Sequence, residues 1–335
     1  MIPPRLHIFL FFFGILTNLS AQSLDFNLNC ERAYTHIIAL KADSATYYLN
    51  QEKRLNPSNH IIYLLDNYMD FLEIYTSGST NLYEAKKSSF DDRISSLKKA
   101  DNSSPYYLYS QAEIHLQSAV LHIKFGEYFA CIFDAKKALK KLEQNQKDFP
   151  DFMPNNKSLG TLYTILGSIP EQYQGGLEFL GLKGSVLGGL SMLEKATNSK
   201  KHPFQHESAT IYAFMLMHIQ NKPEAAWQIL QKNNFNSSKN LMDAYSLGHV
   251  GIYGIHNDEG ISALTKASRS GFMDFPLMDY LLGIGKTYRQ DSDANVYFEK
   301  FISKTVGIDY IKSAWHKMAW NALIQGDRKA YDKYI

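Results

Sequence analysis

Histidine is the side chain with the most chemistry to offer in this sequence, and its spacing limits what that chemistry can be. His202 and His206 stand four apart, the interval that sets two metal ligands on one helix face. Pro203 falls between them at an expected helix start, and no HExxH order, thiolate or nearby carboxylate set completes a site. The two therefore read as surface or cap histidines, and no metal is expected. His218, His249 and His316 recur at wider intervals and form a candidate pH-responsive band, because imidazole titrates near neutrality unaided. Lys136, Lys137, Lys140 and Lys141 make a basic stripe at helical spacing that reads as a solvated outer face. Gly175-Gly176 and Gly188-Gly189 fit neither GxxxxGK[ST] nor GxGxxG and read as points of close helix packing; GxSxG is absent too. No convergent catalytic set emerges, so neither enzymatic activity nor a cofactor is expected.

The elements that must carry these residues are helical. Apolar residues recur at helix spacing nearly throughout, as in Ile61, Leu64, Leu65, Tyr68, Met69, Leu72 and Tyr75, and no stretch alternates as a half-buried strand does. Asn56-Pro57-Ser58-Asn59 and Ser77-Gly78-Ser79 are breaks, and Ser104-Pro105 is an N-cap followed by Pro in the first turn. With 35 basic against 33 acidic residues, the chain lacks the positive excess that draws proteins onto phosphate backbones, so nucleic acid is not an expected partner.

The first residues carry an address: Arg5, an apolar run from Leu6 to Leu16, then Leu19-Ser20-Ala21. This predicts a signal peptide, residues 1–21, cut after Ala21, since the run is about half of the roughly 20 residues a membrane helix needs. The nearest cysteine is Cys30, too far from the cut for a lipid anchor. A soluble periplasmic or secreted protein is expected. Export makes a Cys30–Cys131 disulfide chemically possible; two free thiols, mostly buried, is the plainer reading.

Self-similarity decides the architecture. Gly189-Leu-Ser-Met-Leu-Glu-Lys-Ala196 and Gly260-Ile-Ser-Ala-Leu-Thr-Lys-Ala267 agree at Gly, Ser, Leu, Lys and Ala, 71 residues apart, close to two periods of about 34. Small residues expected at helix crossings fall at Cys131, Gly189, Ala226, Gly260 and Ala294, in steps of 58, 37, 34 and 34. Four residues after each come Ala135, Leu193, Leu230, Leu264 and Phe298. A small side chain admits the neighbouring helix, and a large one fills the groove beside it. The long first step predicts an extra, proline-bounded helix at about 150–170, and the last unit, from Ile311, ends in a final helix that looks cut short at Ile335.

Ser104-Pro105-Tyr106-Tyr107, Lys124-Phe125-Gly126-Glu127-Tyr128, Gly167-Ser168-Ile169-Pro170 and Tyr310-Ile311-Lys312-Ser313-Ala314 resemble the tetratricopeptide-repeat family, in particular its exported bacterial members. The resemblance implies an all-α, right-handed solenoid of helix-turn-helix units over residues 105–335, preceded by a helical region at 22–104. It also implies ligand binding in general, with no catalytic residues. First helices of such units line a concave groove. The register places Met215 and His218, then Tyr245, His249 and Tyr253, then Asp279 and Lys286, and finally His316 and Trp320 along it. The expectation is a non-catalytic scaffold of the cell envelope that holds a peptide or helix of a partner protein; carbohydrate binding of the outer-membrane uptake kind is the alternative.

Overall fold

A computed structural model describes residues 22–200, 202–267 and 272–335. The expected signal peptide lies outside the described residues. Among them the chain is all-helical, and the one β feature is an isolated bridge between Ser23 and Asn59. The helices come in consecutive pairs: α1 (Leu28–Ile38) with α2 (Ala42–Leu55), α3 (Ile61–Ser77) with α4 (Thr80–Leu97), and α5 (Tyr106–Lys124) with α6 (Tyr128–Asp148). Next, α7 (Pro154–Ser168) pairs with α9 (Val186–Asn198), leaving α8 (Glu171–Phe179) between them, followed by α10 (Gln205–His218) with α11 (Pro223–Lys232). The series ends with α12 (Leu241–Tyr253) and α13 (Asn257–Lys266), α14 (Leu277–Arg289) and α15 (Ala294–Lys304), and α16 (Ile311–Ile324) and α17 (Arg328–Tyr334). No described helix is long and apolar enough to cross a membrane.

Local chemistry sets the boundaries. Asn27, Ser79, Ser185 and Asn240 cap their helices by accepting from backbone N–H groups of the first turn. Pro154 and Pro223 open α7 and α11, where a missing N–H costs nothing. Gly78 ends α3 in the left-handed conformation.

The crossings follow the small-residue ladder, with one exception. A Cβ on Gly189 would lie 2.3 Å from Thr164 Oγ1 and 2.5 Å from the Gly160 carbonyl, so α9 and α7 touch backbone to backbone. Ala226 and Ala294 are fully buried, and Gly248 and Gly283 leave room for Leu264 and Phe298, each four residues after a predicted crossing. Cys131 is the exception: it is only half-buried, and α6 instead packs through Ala138, Leu139 and Leu142, lower on the helix. Cys30 and Cys131 are free thiols.

The expected extra helix at 150–170 is present as α7, but it is a regular member of the series rather than an insertion. Gly160 and Gly167 let it seat backbone to backbone against α9 and the turn before it. The surplus is α8, which buries no residue. Gly175 and Gly176 within it have nothing within 4 Å of an added Cβ, so close packing does not account for them.

The first helices α3, α5, α7, α10, α12, α14 and α16 form a continuous row in which each touches the next. The later part of the row comes back to its start: a Cβ on Gly307, between α15 and α16, would lie 2.8 Å from the Gly78 carbonyl at the end of α3. Met273 N–H donates to the Leu40 carbonyl (2.8 Å), and the Lys41 ammonium lies 5.2 Å from the Phe272 ring centroid. One apolar core runs from Leu24 to Met318, with a second along α9 to α13. The core crosses residue 104 without a break, because Tyr68 and Leu72 of α3 belong to the same cluster as Tyr109 and Ile114 of α5.

Candidate functional site

Where the ends of the row approach, they leave a pocket of about 590 Å3. One wall is the end of α3 and of α5: Tyr75, Val120, Ile123 and Lys124. The other is Tyr245 of α12, Phe275 and Leu277 at the start of α14, and the 305–310 segment with Asp309 and Tyr310. Lys124 and Asp309 are the only charged residues among those lining it, and they face each other across the gap with Nζ to Oδ2 at 2.7 Å. The stem of Lys124 is largely covered, and its ammonium lies 5.3 Å from the Tyr75 ring centroid, within cation–π range.

Four tyrosines, Tyr75, Tyr128, Tyr245 and Tyr310, are among the lining residues. Burial holds the Tyr75 and Tyr245 phenols above their ordinary pKa, with neighbouring phenols adding to the effect, so both are neutral donors at physiological pH. Within the described residues the hydroxyls of Tyr75, Tyr245 and Tyr310 have no hydrogen-bond partner. Tyr310 is held at φ 63°, in the left-handed region that L side chains avoid at a cost of about 1 kcal/mol or more. Its ring packs 5.0 Å from Tyr280, whose hydroxyl meets Ser313 Oγ at 2.9 Å.

Four of the residues predicted from sequence come together beside this pocket. His218 Nε2 and His249 Nε2 are 2.8 Å apart, so one donates and the other accepts, and His249 is packed among Phe214, Tyr245 and Tyr253. Burial, and secondarily the nearby His218, lower the His249 pKa to about 4, so it is neutral at pH 7. Met215, one turn before His218, packs against the second core.

Other predicted contacts lie elsewhere. Asp279 has no exposed surface and turns toward Lys300 and Lys304 of α15, because α14 begins at Leu277 and its inward register gives Tyr280 the facing position. Lys286 pairs with Asp291 and Asp293 at the α14–α15 turn. His316 and Trp320 join each other on α16, Trp320 Nε1 donating to His316 Nε2 at 2.8 Å, and are exposed apart from the histidine pair. His202 and His206 diverge: His202 contacts the Ala196 carbonyl, while His206 meets Asp243 at 2.6 Å. Of the lysine stripe, Lys136, Lys137 and Lys140 are exposed and Lys141 turns in to donate to Gln111.

A buried ionic cluster two helical turns from the pocket along α3 and α5 went unseen in the sequence. Lys157 of α7 is 2% exposed and donates to Glu113 Oε2 (2.7 Å), Glu207 Oε2 (2.9 Å) and the Tyr68 hydroxyl (2.9 Å). Tyr34 of α1 donates to Glu207, Tyr68 to Glu113, and Ser158 also to Glu113. Burial alone would depress Lys157, but the two carboxylates outweigh it and hold its pKa above the ordinary lysine value. Four helices, α3, α5, α7 and α10, meet on this one ammonium, and α1 joins them through Tyr34 on Glu207. Its carboxylates and the Tyr34 and Tyr68 phenols are paired, so the cluster ties these helices together.

No family model matches the chain, and no curated protein matches it.

Proposed function

We propose that the protein is a non-catalytic scaffold of the tetratricopeptide kind, exported to the envelope, which holds a segment of a partner protein against the inner side of its helix row. The observation that carries this reading is the pocket itself: apolar side chains and unpaired tyrosine hydroxyls from both ends of the chain converge on one space. Phenols with an apolar face and a free donor are the side chains most often found anchoring protein partners. The seven-membered row of first helices and the 34-residue ladder support the repeat assignment, and the apolar leader supports export.

The test is site-specific photocrosslinking in cells. A crosslinking residue at Ile123 or Tyr253, on the inner side, should trap a discrete partner, whereas one at Lys140 or Val296, exposed on second helices, should not. A partner trapped only from the second helices sinks the inner-side assignment.

A further inference from the structure

Building on the scaffold reading, we infer that the pocket is a carboxylate site: a ligand with an apolar body presents its carboxylate to the Lys124 ammonium, in the place where Asp309 now sits. Lys124 carries three N–H donors, and Asp309 Oδ2 is the single acceptor it meets among the described residues. The ammonium is held before any ligand arrives by the Tyr75 ring beneath it, 5.3 Å from the centroid. Tyr75, Tyr245 and Tyr310 bring three further donors to the same space. A lysine beside three phenols that have no acceptor of their own suits an oxyanion.

Asp309 shows what kind. It is itself a carboxylate, half-exposed, on a segment anchored at its ends by Thr305 N–H to Phe301 O and Ala314 N–H to Tyr310 O. Between those bonds the contact with Lys124 is the chain's own rehearsal of the ligand. Val120, Ile123 and Phe301 line the space beside it and fit an aliphatic or aromatic body. The carboxylate can come from the C-terminal residue of a peptide or from a free amphiphilic acid, and the chemistry at Lys124 is the same.

The experiment uses the full chain and two probe pairs. One is a fluorescent decapeptide ending in leucine, as the free acid and as the C-terminal amide. The other is dansyl-aminoundecanoate and its primary amide. At least one acid should bind about tenfold more tightly than its amide, the size of a charge-assisted hydrogen bond. Lys124→Met, which keeps the apolar stem over Tyr75, should abolish that preference. Asp309→Asn should raise acid affinity about fivefold by removing an internal competitor held at surface-pair strength. Preference in the peptide pair alone identifies a protein terminus, and in the undecanoate pair alone a free acid. Equal binding of acids and amides, binding unchanged in Lys124→Met, or no binding of either acid overturns the carboxylate site. Partner crosslinks from Ile123 that persist in any of these cases leave the scaffold reading intact.

Discussion

The Lys157 ammonium sits 2.7 Å from Glu113 Oε2, on adjoining helices, in a place that solvent barely reaches. A buried pair of this kind is tolerated only while both members are present, because each charge left alone keeps its desolvation cost without its partner. Lys157→Met should therefore destabilise the protein by about 3–5 kcal/mol, and adding Glu113→Gln should recover part of the loss. Urea unfolding followed by circular dichroism measures both. Equal stability of Lys157→Met and wild type would show that the cluster contributes no net order.

The glycines separate into two groups that substitution should reveal. Gly189→Ala forces a Cβ against Thr164 and the Gly160 backbone, and should cost about 1–3 kcal/mol through overpacking. Gly176→Ala, in the exposed α8, meets nothing and should stabilise by about 0.5–1 kcal/mol by favouring the helix. Thermal melts of the two variants should move in opposite directions.

The paired histidines give stability a pH dependence. In the unfolded chain His249 binds a proton below about pH 6.5, but in the folded chain only below about 4. The unfolded state thus holds more protons between these values, and the contribution is full above pH 6.5 and lost as pH falls toward 4. It amounts to at most about 3 kcal/mol. His249→Phe should flatten the stability profile across that interval relative to wild type, and an unchanged slope would discount the histidine.

The thiols should differ in reactivity. Cys30 is fully buried, and burial, reinforced by the Glu52 carboxylate, pushes its pKa up to about 12, so almost no thiolate forms at neutral pH. Mass spectrometry after brief alkylation of the native protein should find Cys131 modified ahead of Cys30. Both should react after unfolding without reductant, as two free thiols require.

Much of the helix pairing was legible because it is local. Gly260 with Leu264 and Ala294 with Phe298 repeat a steric rule within one turn of helix, and any residue pattern fixed by nearest neighbours repeats in the sequence. Cys131 departs from that rule because α6 is longer than its counterparts and packs through its second half. The pocket was only half legible. Tyr245 in its wall, and His249 and Tyr253 beside it, follow from the sequence register, but Tyr75, Lys124 and Asp309 meet only because the row curves through many units, and no local pattern encodes that sum. Lys157 and Glu113 were hidden for a similar reason: a charged residue among apolar ones reads as a solvated position until its partner, 44 residues away, is placed beside it.

The contact between Lys124 and Asp309 joins residues 185 apart, and Gly78 and Gly307 lie still farther from each other in the chain. Pairs such as α5 with α6 can form as soon as their own residues leave the ribosome, whereas the pocket has no second wall until residue 310 has emerged. Its assembly is accordingly among the last events of folding, since long loops must close before such contacts contribute. A chain cut before residue 310 can carry most of its helix pairs and still lack the wall that faces Lys124.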